Sequence, residues 1–304
     1  MGATVKFGTA GVPISATKRD TISGISRVRE LGLKALEVEF VRGVHMSNET
    51  AKKVGTAAIE HGIDLSVHAP YFINLASEKA QTIAESKQRV LDSLERGEAM
   101  GAKIVVVHAG FYGKNAAASI GMIRDACIEL AEKIRKESWN IILGLETSGK
   151  SSQFGTLDEI IELCRDIKEC APVIDFAHIY ARQAGHIDYG KVLDAAKEYK
   201  HRRSIADATT YRDVAPHRHS IADTTLCRVF TPHLHCHFSG INYSIVSEGK
   251  GNERSHEPIG NPQFASLARE ILRRKLDMTI ICESPKLEED ALKMKEALKE
   301  DAKT

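Results

Sequence analysis

Nothing in this 304-residue chain approaches the roughly 18 consecutive apolar residues of a membrane-spanning helix. A protein built on bilayer-spanning helices is excluded, and no membrane partner is expected. The start, MGATVKFGTAG, lacks the apolar stretch that follows a basic start in a secretory signal, so the expected location is cytoplasmic. An excess of one charge is missing too, since 42 Lys and Arg against 41 Asp and Glu leave a net +1. Nothing global attracts a polyanion, and a nucleic-acid partner would have to be met by locally placed positive charge. The six cysteines (127, 164, 170, 227, 236 and 282) include no CxxC pair. That argues against a disulfide framework and for reduced thiols in an intracellular protein. With 8 prolines, 42% hydrophobic and 27% charged residues, the remainder is ordinary globular composition.

What the chain does have is rhythm. Short β-branched or apolar runs recur at 5–9, 35–40, 64–68, 103–108, 141–146, 172–175, 233–238 and 278–283. Between them lie helix-forming segments such as DTISGISRVRELG, NETAKKVGTAAIEHG and SKQRVLDSLERGEAMG, which end in the glycine that helix C-termini favour. Strand–helix alternation implies a parallel sheet with helical crossovers. Eight such units imply an α/β fold of the (β/α)8 TIM-barrel type, one domain over 1–304. Periodicity alone leaves a doubly wound open sheet as the alternative. The rhythm fails from about 199 to 231, where no clean helix or strand is found. That stretch holds a near-repeat, HRRSIADAT (201–209) and HRHSIADTT (217–225). Connections between helix and strand typically take about 2–6 residues, so this is an inserted loop. It leads into a strand and belongs on the face of a barrel opposite the active site, so His201, His217 and His219 are not expected to be ligands.

Polar residues sit at the strand ends. His68, His108, Glu146 and Asp175 close four successive strands, His178 follows Asp175, His237 lies near the end of strand seven, and Glu283 closes strand eight. In a barrel these C-terminal ends converge on one mouth. Four histidines and three carboxylates are more than one tetrahedral ion can use, so two or more first-row cations, Zn²⁺ or Mn²⁺, are implied. Glu146, central in strand order, is the natural bridge. In TPHLHCHFSG the alternation puts His233, His235 and His237 on one face; His237 should reach the mouth, with His235 a layer lower and His233 structural. Cys236 and Cys282 alternate with them and should face the helices as small buried hydrophobes.

The ordered set VHAPYFINLAS, VVVHAG, GLETSGK, VIDFAHIYARQ, HFSGI and ICESP covers most of the chain. It resembles the endonuclease IV family of apurinic/apyrimidinic endonucleases, within the xylose-isomerase-like barrel superfamily. The resemblance implies two or three zinc ions, with Mn²⁺ an alternative, and double-stranded DNA bearing abasic sites as the partner. It also implies hydrolysis of the phosphodiester on the 5′ side of the lesion, carried out by a monomer. Carried over by position, His68, His108 and Glu146 would hold the first ion; Glu146, Asp175, His237 and Glu283 the second; His178 and His256 the third. Glu146 and Glu283 would be catalytic. Tyr71 matches a family tyrosine that approaches DNA near the abasic sugar. One departure stands out, because the family places an aspartate two residues before the last histidine and this chain has Arg254 there. Glu253 is the possible substitute.

Clustered cations would lower the pKa of water and stabilise the leaving oxygen of an in-line displacement. Local basic residues of the loops, Arg42, Lys114, Lys150, Arg182, Lys250 and Arg254, are the expected DNA contacts. In FVRGVHMS, Arg42, His45 and Met46 suit a minor groove. Two rivals remain open at this point. A sugar isomerase or epimerase would need only Glu146, Asp175, His237 and Glu283. A barrel that binds damaged DNA without cutting it would be marked by the Arg254 departure and the insertion.

Overall fold

The computed structural model describes residues 4–214 and 233–302. Along the chain run β1 (Val5–Ala10), α1 (Thr21–Glu30), β2 (Ala35–Glu39), α2 (Asn48–His61), β3 (Asp64–His68), α3 (Ala80–Ala99), β4 (Ile104–Val107) and α4 (Ala116–Lys136). There follow β5 (Ile142–Glu146), α5 (Leu157–Asp166), β6 (Cys170–Asp175), α6 (Phe176–Arg182), α7 (Tyr189–Val214) and β7 (Leu234–Phe238). The chain ends with β8 (Gly240–Ser247), β9 (Lys250–Glu257), α8 (Phe264–Arg274), β10 (Met278–Cys282) and α9 (Glu288–Asp301). Eight of the strands form a closed barrel in the order β1-β10-β7-β6-β5-β4-β3-β2. Every neighbouring pair is parallel, and closure is made by β1 on β10, from Val5 opposite Met278 to Thr9 opposite Cys282. This is a TIM barrel, as the alternation implies, and the open-sheet alternative falls with the closure.

One side of each strand meets the helices and the other the barrel interior, so strands that send no polar residue inward are apolar on both faces. β4, Ile-Val-Val-Val, is buried throughout. The main core lies between strands and helices, with Leu36, Val67, Leu94, Leu130, Leu143 and Phe238 among its members. Cys236 and Cys282 belong to it, as small buried side chains turned to the helices. A second, small cluster of Ile104, Val106, Ala171 and Val173 fills the barrel itself. Gly144 belongs to that inner layer, for a Cβ there would stand 2.7 Å from Val173 Cγ2 and 2.8 Å from Ile104 Cδ1. The helices start where the sequence caps them. Ser47 accepts from the Thr50 amide at the start of α2, and Thr156 and Glu159 form a reciprocal capping box at the start of α5.

Two regions differ from the sequence reading. The stretch from 199 begins as helix, because α7 runs unbroken to Val214; Tyr199 is buried and Arg203 donates to the carbonyl of Cys164. Residues 215–232, including His217, His219 and the second copy of the near-repeat, lie outside the described residues. The antiparallel β8–β9 hairpin, at 240–257, was not anticipated at all.

Candidate metal centre

The barrel mouth collects its ligands from strand ends, a helix turn and the hairpin. β3 and β5 end on His68 and Glu146, while His108 and Glu283 are the residues directly after β4 and β10. Asp175 closes β6 and caps α6, its carboxylate accepting from the His178 amide at 2.6 Å. That cap fixes the first turn of α6 and brings His178 to the same mouth. Three groups result: His68, His108 and Glu146; Glu146, Asp175, His237 and Glu283; and His178, His256 and Glu283. Glu146 belongs to two of them, with Oε2 3.3 Å from His68 Nε2 and 3.0 Å from His108 Nε2, and Oε1 3.0 Å from His237 Nδ1. Glu283 joins the others, 3.2 Å from His237 Nδ1 and 3.6 Å from His256 Nδ1.

The hairpin explains the Arg254 departure. Asn242 pairs with Ser255 but Tyr243 pairs with Glu253, so Arg254 is the extra residue of a bulge. Without a bulge, Glu253 and His256 would fall on opposite faces of β9, because side chains alternate. The bulge returns both to one side, with Glu253 Oε2 3.2 Å and His256 Nε2 3.3 Å from His178 Nε2. Arg254 is exposed, its Nε donating to Ser244 Oγ.

The side chains form a donor set that could hold cations. His108 Nδ1, Asp175 Oδ2, Glu253 Oε2 and Glu283 Oε2 are buried with no hydrogen-bond partner. Buried polar atoms left in this state cost about 1–3 kcal/mol each. Backbone acceptors also fix the histidine tautomers. His68 Nδ1 donates to the Ala69 carbonyl at 2.8 Å and His178 Nδ1 to the Thr147 carbonyl at 2.9 Å, leaving each Nε2 lone pair for the mouth. The ionisation pattern has the same origin. Burial alone would lower His68, but Glu146 and Glu39 raise it to about 10. Burial pushes Asp175 up to about 6, with the Glu283 and Glu146 charges adding to the rise. Against burial, His237 holds Glu283 down to about 2. An imidazole and carboxylate donor set, part-orphaned and fixed in tautomer, fits first-row divalent cations.

Two acids escaped the sequence reading, although their signal was present. In β2 the run LEVEF alternates, and both Glu37 and Glu39 face the barrel interior rather than the helices. Glu39 lines the mouth cavity, with Oε1 unpartnered and burial raising its carboxyl to about 8. Glu37 sits one layer lower, fully buried. His235 is in that lower layer too, and His233 contacts Thr279 Oγ1 at 3.0 Å further down.

The cavity over the centre holds about 710 Å³ and is lined by His68, His108, His178, Glu253, His256 and Glu283, with Tyr71, Phe111 and Lys150 at its rim. Tyr71 is 58% exposed although its ring lies 5.9 Å from that of His68, so one edge faces outward. Arg42 and His45 are exposed on the loop after β2, while Met46 packs against the core. Lys114 and Lys250 are exposed, and Lys150 Nζ lies 3.5 Å from Glu253 Oε1. Arg182 is turned inward. Its NH1 donates to the carbonyls of Ser148, Lys150 and Gln153, and its NH2 to the Tyr112 hydroxyl.

Comparison with known proteins agrees with this architecture. The pattern of the xylose isomerase-like TIM barrel family matches residues 25–301, and the chain belongs to that family. An uncharacterized protein of Methanocaldococcus jannaschii is 35% identical over 297 residues, 94% of each chain. A probable endonuclease 4 of Streptomyces coelicolor is 30% identical over 178 residues, 54% of this chain and 58% of its own length. Among solved structures, endonuclease IV from Thermus thermophilus aligns with a TM-score of 0.64 at 19% identity, covering 98% of this chain and 99% of its own. A 3-keto-D-glucoside 4-epimerase from E. coli aligns with a TM-score of 0.66 at 13% identity, covering 99% and 100%. At such identities the two structures share the fold with this chain. The family is one of enzymes, and endonuclease 4 proteins are among its relatives here.

Proposed function

We propose that this protein is a metal-dependent phosphodiesterase that cuts double-stranded DNA on the 5′ side of abasic sites, acting in the cytoplasm as a monomer with two or three Zn²⁺ or Mn²⁺ ions. The observation that carries the reading is the overlap of three ligand groups through Glu146 and Glu283. One ion needs one group, and a carbohydrate isomerase would be served by Glu146, Asp175, His237 and Glu283 alone. The remaining residues, His68, His108, His178, His256 and Glu253, suit a reaction in which charge develops at several oxygens, as in phosphodiester hydrolysis.

Bound cations would activate water and neutralise the phosphate and leaving oxygens. Glu146 joins the first two groups, so its two oxygens fix their spacing. Glu283 remains ionised and orients the attacking water by accepting its hydrogen bond. The tautomers set by Ala69 and Thr147 aim His68 and His178 inward before any substrate arrives. Tyr71 covers one side of the cavity and Lys150 meets the DNA backbone at its rim. Arg182 serves the same contact by holding the 148–153 loop in shape, while Arg42 and His45 reach the duplex from the loop after β2.

The test is direct. Protein loaded with Zn²⁺ or Mn²⁺ is incubated with a duplex carrying one abasic site, with and without chelator. Chelator-sensitive cleavage leaving a 3′-hydroxyl 5′ to the lesion is expected, with no cutting of the intact duplex. Tight binding without cleavage would select the non-cutting DNA-binding reading, and one ion per chain with no nuclease activity the isomerase reading.

A further inference from the structure

Glu37 is the one acid inside the barrel, among the described residues, that neither faces the mouth cavity nor belongs to the ligand set above. It is fully buried in the middle of β2. Its Oε2 accepts from His235 Nε2 at 2.9 Å and from Ser66 Oγ at 2.7 Å. Its Oε1 lies at an ion-pair distance of 2.9 Å from His237 Nε2, and neither of these two buried atoms makes a hydrogen bond. His237 therefore stands between carboxylates, with Glu37 below on Nε2 and Glu146 and Glu283 above on Nδ1.

We propose that Glu37 is a positioning residue for the cation held by Glu146, Asp175, His237 and Glu283, selecting the tautomer of His237 that turns its Nδ1 lone pair to the mouth. The proposal rests on the metal-centre reading but not on the identity of the substrate. A neutral imidazole carries one proton, and an ionised carboxylate only accepts. Next to Glu37 the proton belongs on Nε2. The contrast with the other histidines is informative. His68 and His178 present Nε2 and donate from Nδ1 to neutral backbone carbonyls; His237 is turned the other way and backed by a full charge. A carboxylate behind a ligating imidazole raises its basicity as well as orienting it. His235 and Ser66 hold that carboxylate in place. A fourth ion between Glu37, His235 and His237 is the competing account of the same geometry. It would require His237 to ligate through both nitrogens, hence to lose both ring protons.

The test is titration of chelator-stripped protein with Zn²⁺ alone, reading stoichiometry by native mass spectrometry and affinities by competition with a chelating dye. Glu37→Gln keeps the volume and an acceptor but removes the charge. The expected result is roughly a 10–100-fold loss of affinity at one site, with the other sites and the melting temperature of the metal-free protein unmoved. Ring ¹⁵N shifts of His237 in the zinc protein should show one tautomer in the parent and a mixture in the variant. Ser66→Ala, which leaves every mouth ligand intact, should give a smaller loss at that same site, and it serves as the readout if Glu37→Gln does not fold. Unchanged zinc affinities in the variants that fold would overturn the proposal. So would a parent protein with four ions of which Glu37→Gln removes one outright.

Discussion

At the scale of single residues, Glu146 is where the centre is most exposed to a small change. Its two oxygens face four histidines, His68, His108, His178 and His237, and it is buried among them. Glu146→Gln preserves the shape but replaces one accepting oxygen by a donor that must point at an imidazole. Losing an outer-shell partner typically costs roughly 10–100-fold in activity or metal affinity. A ligand shared by two groups should cost more, so abasic-site cleavage is expected to fall by well over ~100-fold. Circular dichroism should still report the parent fold, and near-normal turnover would mean that Glu146 does not join two ions. Residues of this kind were legible in the sequence because parallel strands end together: a His, Asp or Glu in phase with each strand end marks the rim. Glu37 and Glu39 obey the same alternation, yet Glu37 lies two residues before the end of β2 and Glu39 is followed by Phe40, on which the apolar run at 35–40 closes, so inspection of run ends alone does not find them.

At the scale of elements, the hairpin contributes His256 to the third group and sets Glu253 beside it. It was illegible for a physical reason. GINYSIVS and KGNERSHE bury few side chains, with most of β8 beyond Ile241 and most of β9 partly or fully exposed. KGNERSHE has no apolar residue at all, and the short alternation of Ile241, Tyr243 and Ile245 in β8 has no apolar partner strand beside it to mark a pair. α7 was missed past residue 199 for a related reason, since HRRSIADATTYRDV offers few apolar residues at helical spacing. The barrel strands and their helices, by contrast, are strongly apolar on the core side and were readable throughout. The bulge at Arg254 yields a sharp expectation. Glu253→Ala should lower the metal content by one ion per chain and reduce cleavage. Deleting Arg254 should do neither, because a regular strand would then place Glu253 two positions before His256, on its own face. Elemental analysis of the two variants decides the matter; metal loss in the deletion with retention in Glu253→Ala would reverse the assignment.

At the scale of the whole molecule, stability and chemistry occupy opposite ends of the barrel. Asp64 opens β3 at the end away from the mouth, 2.5 Å from Lys6 Nζ and 2.7 Å from Lys103 Nζ. Burial would raise its carboxyl, but the two lysines outweigh it and hold it below the usual range. A carboxylate whose folded pKa lies below its unfolded value stabilises fully above about pH 4 and loses that contribution as pH falls through the folded value. Asp64→Asn should therefore melt a few degrees lower at pH 7, a loss of about 1 kcal/mol, and the difference should shrink as the pH falls below about 4. A difference that does not shrink with falling pH would exclude the ionic origin. The connection between α7 and β7 enters the barrel at the same distant end, at Leu234. Replacing 206–230 with a short Gly/Ser linker, past the Arg203 contacts to the Cys164 and Ile167 carbonyls, should leave zinc content and cleavage intact. Loss of metal with the fold retained would show that this segment reaches the mouth. Closure of the barrel by β1 on β10 has a consequence for birth as well as for shape. The first ligand group is complete once Glu146 has been translated, whereas the other two wait for Glu283, the residue after the last strand. At about 5–20 residues per second, the ribosome adds the intervening 137 residues (283 − 146) in roughly 7–27 s. A nascent chain thus offers one partial site early and the shared sites only when its two ends can meet. Capture of cations is expected to be ordered in time, with the last ions acting as the latch on a barrel that has just closed.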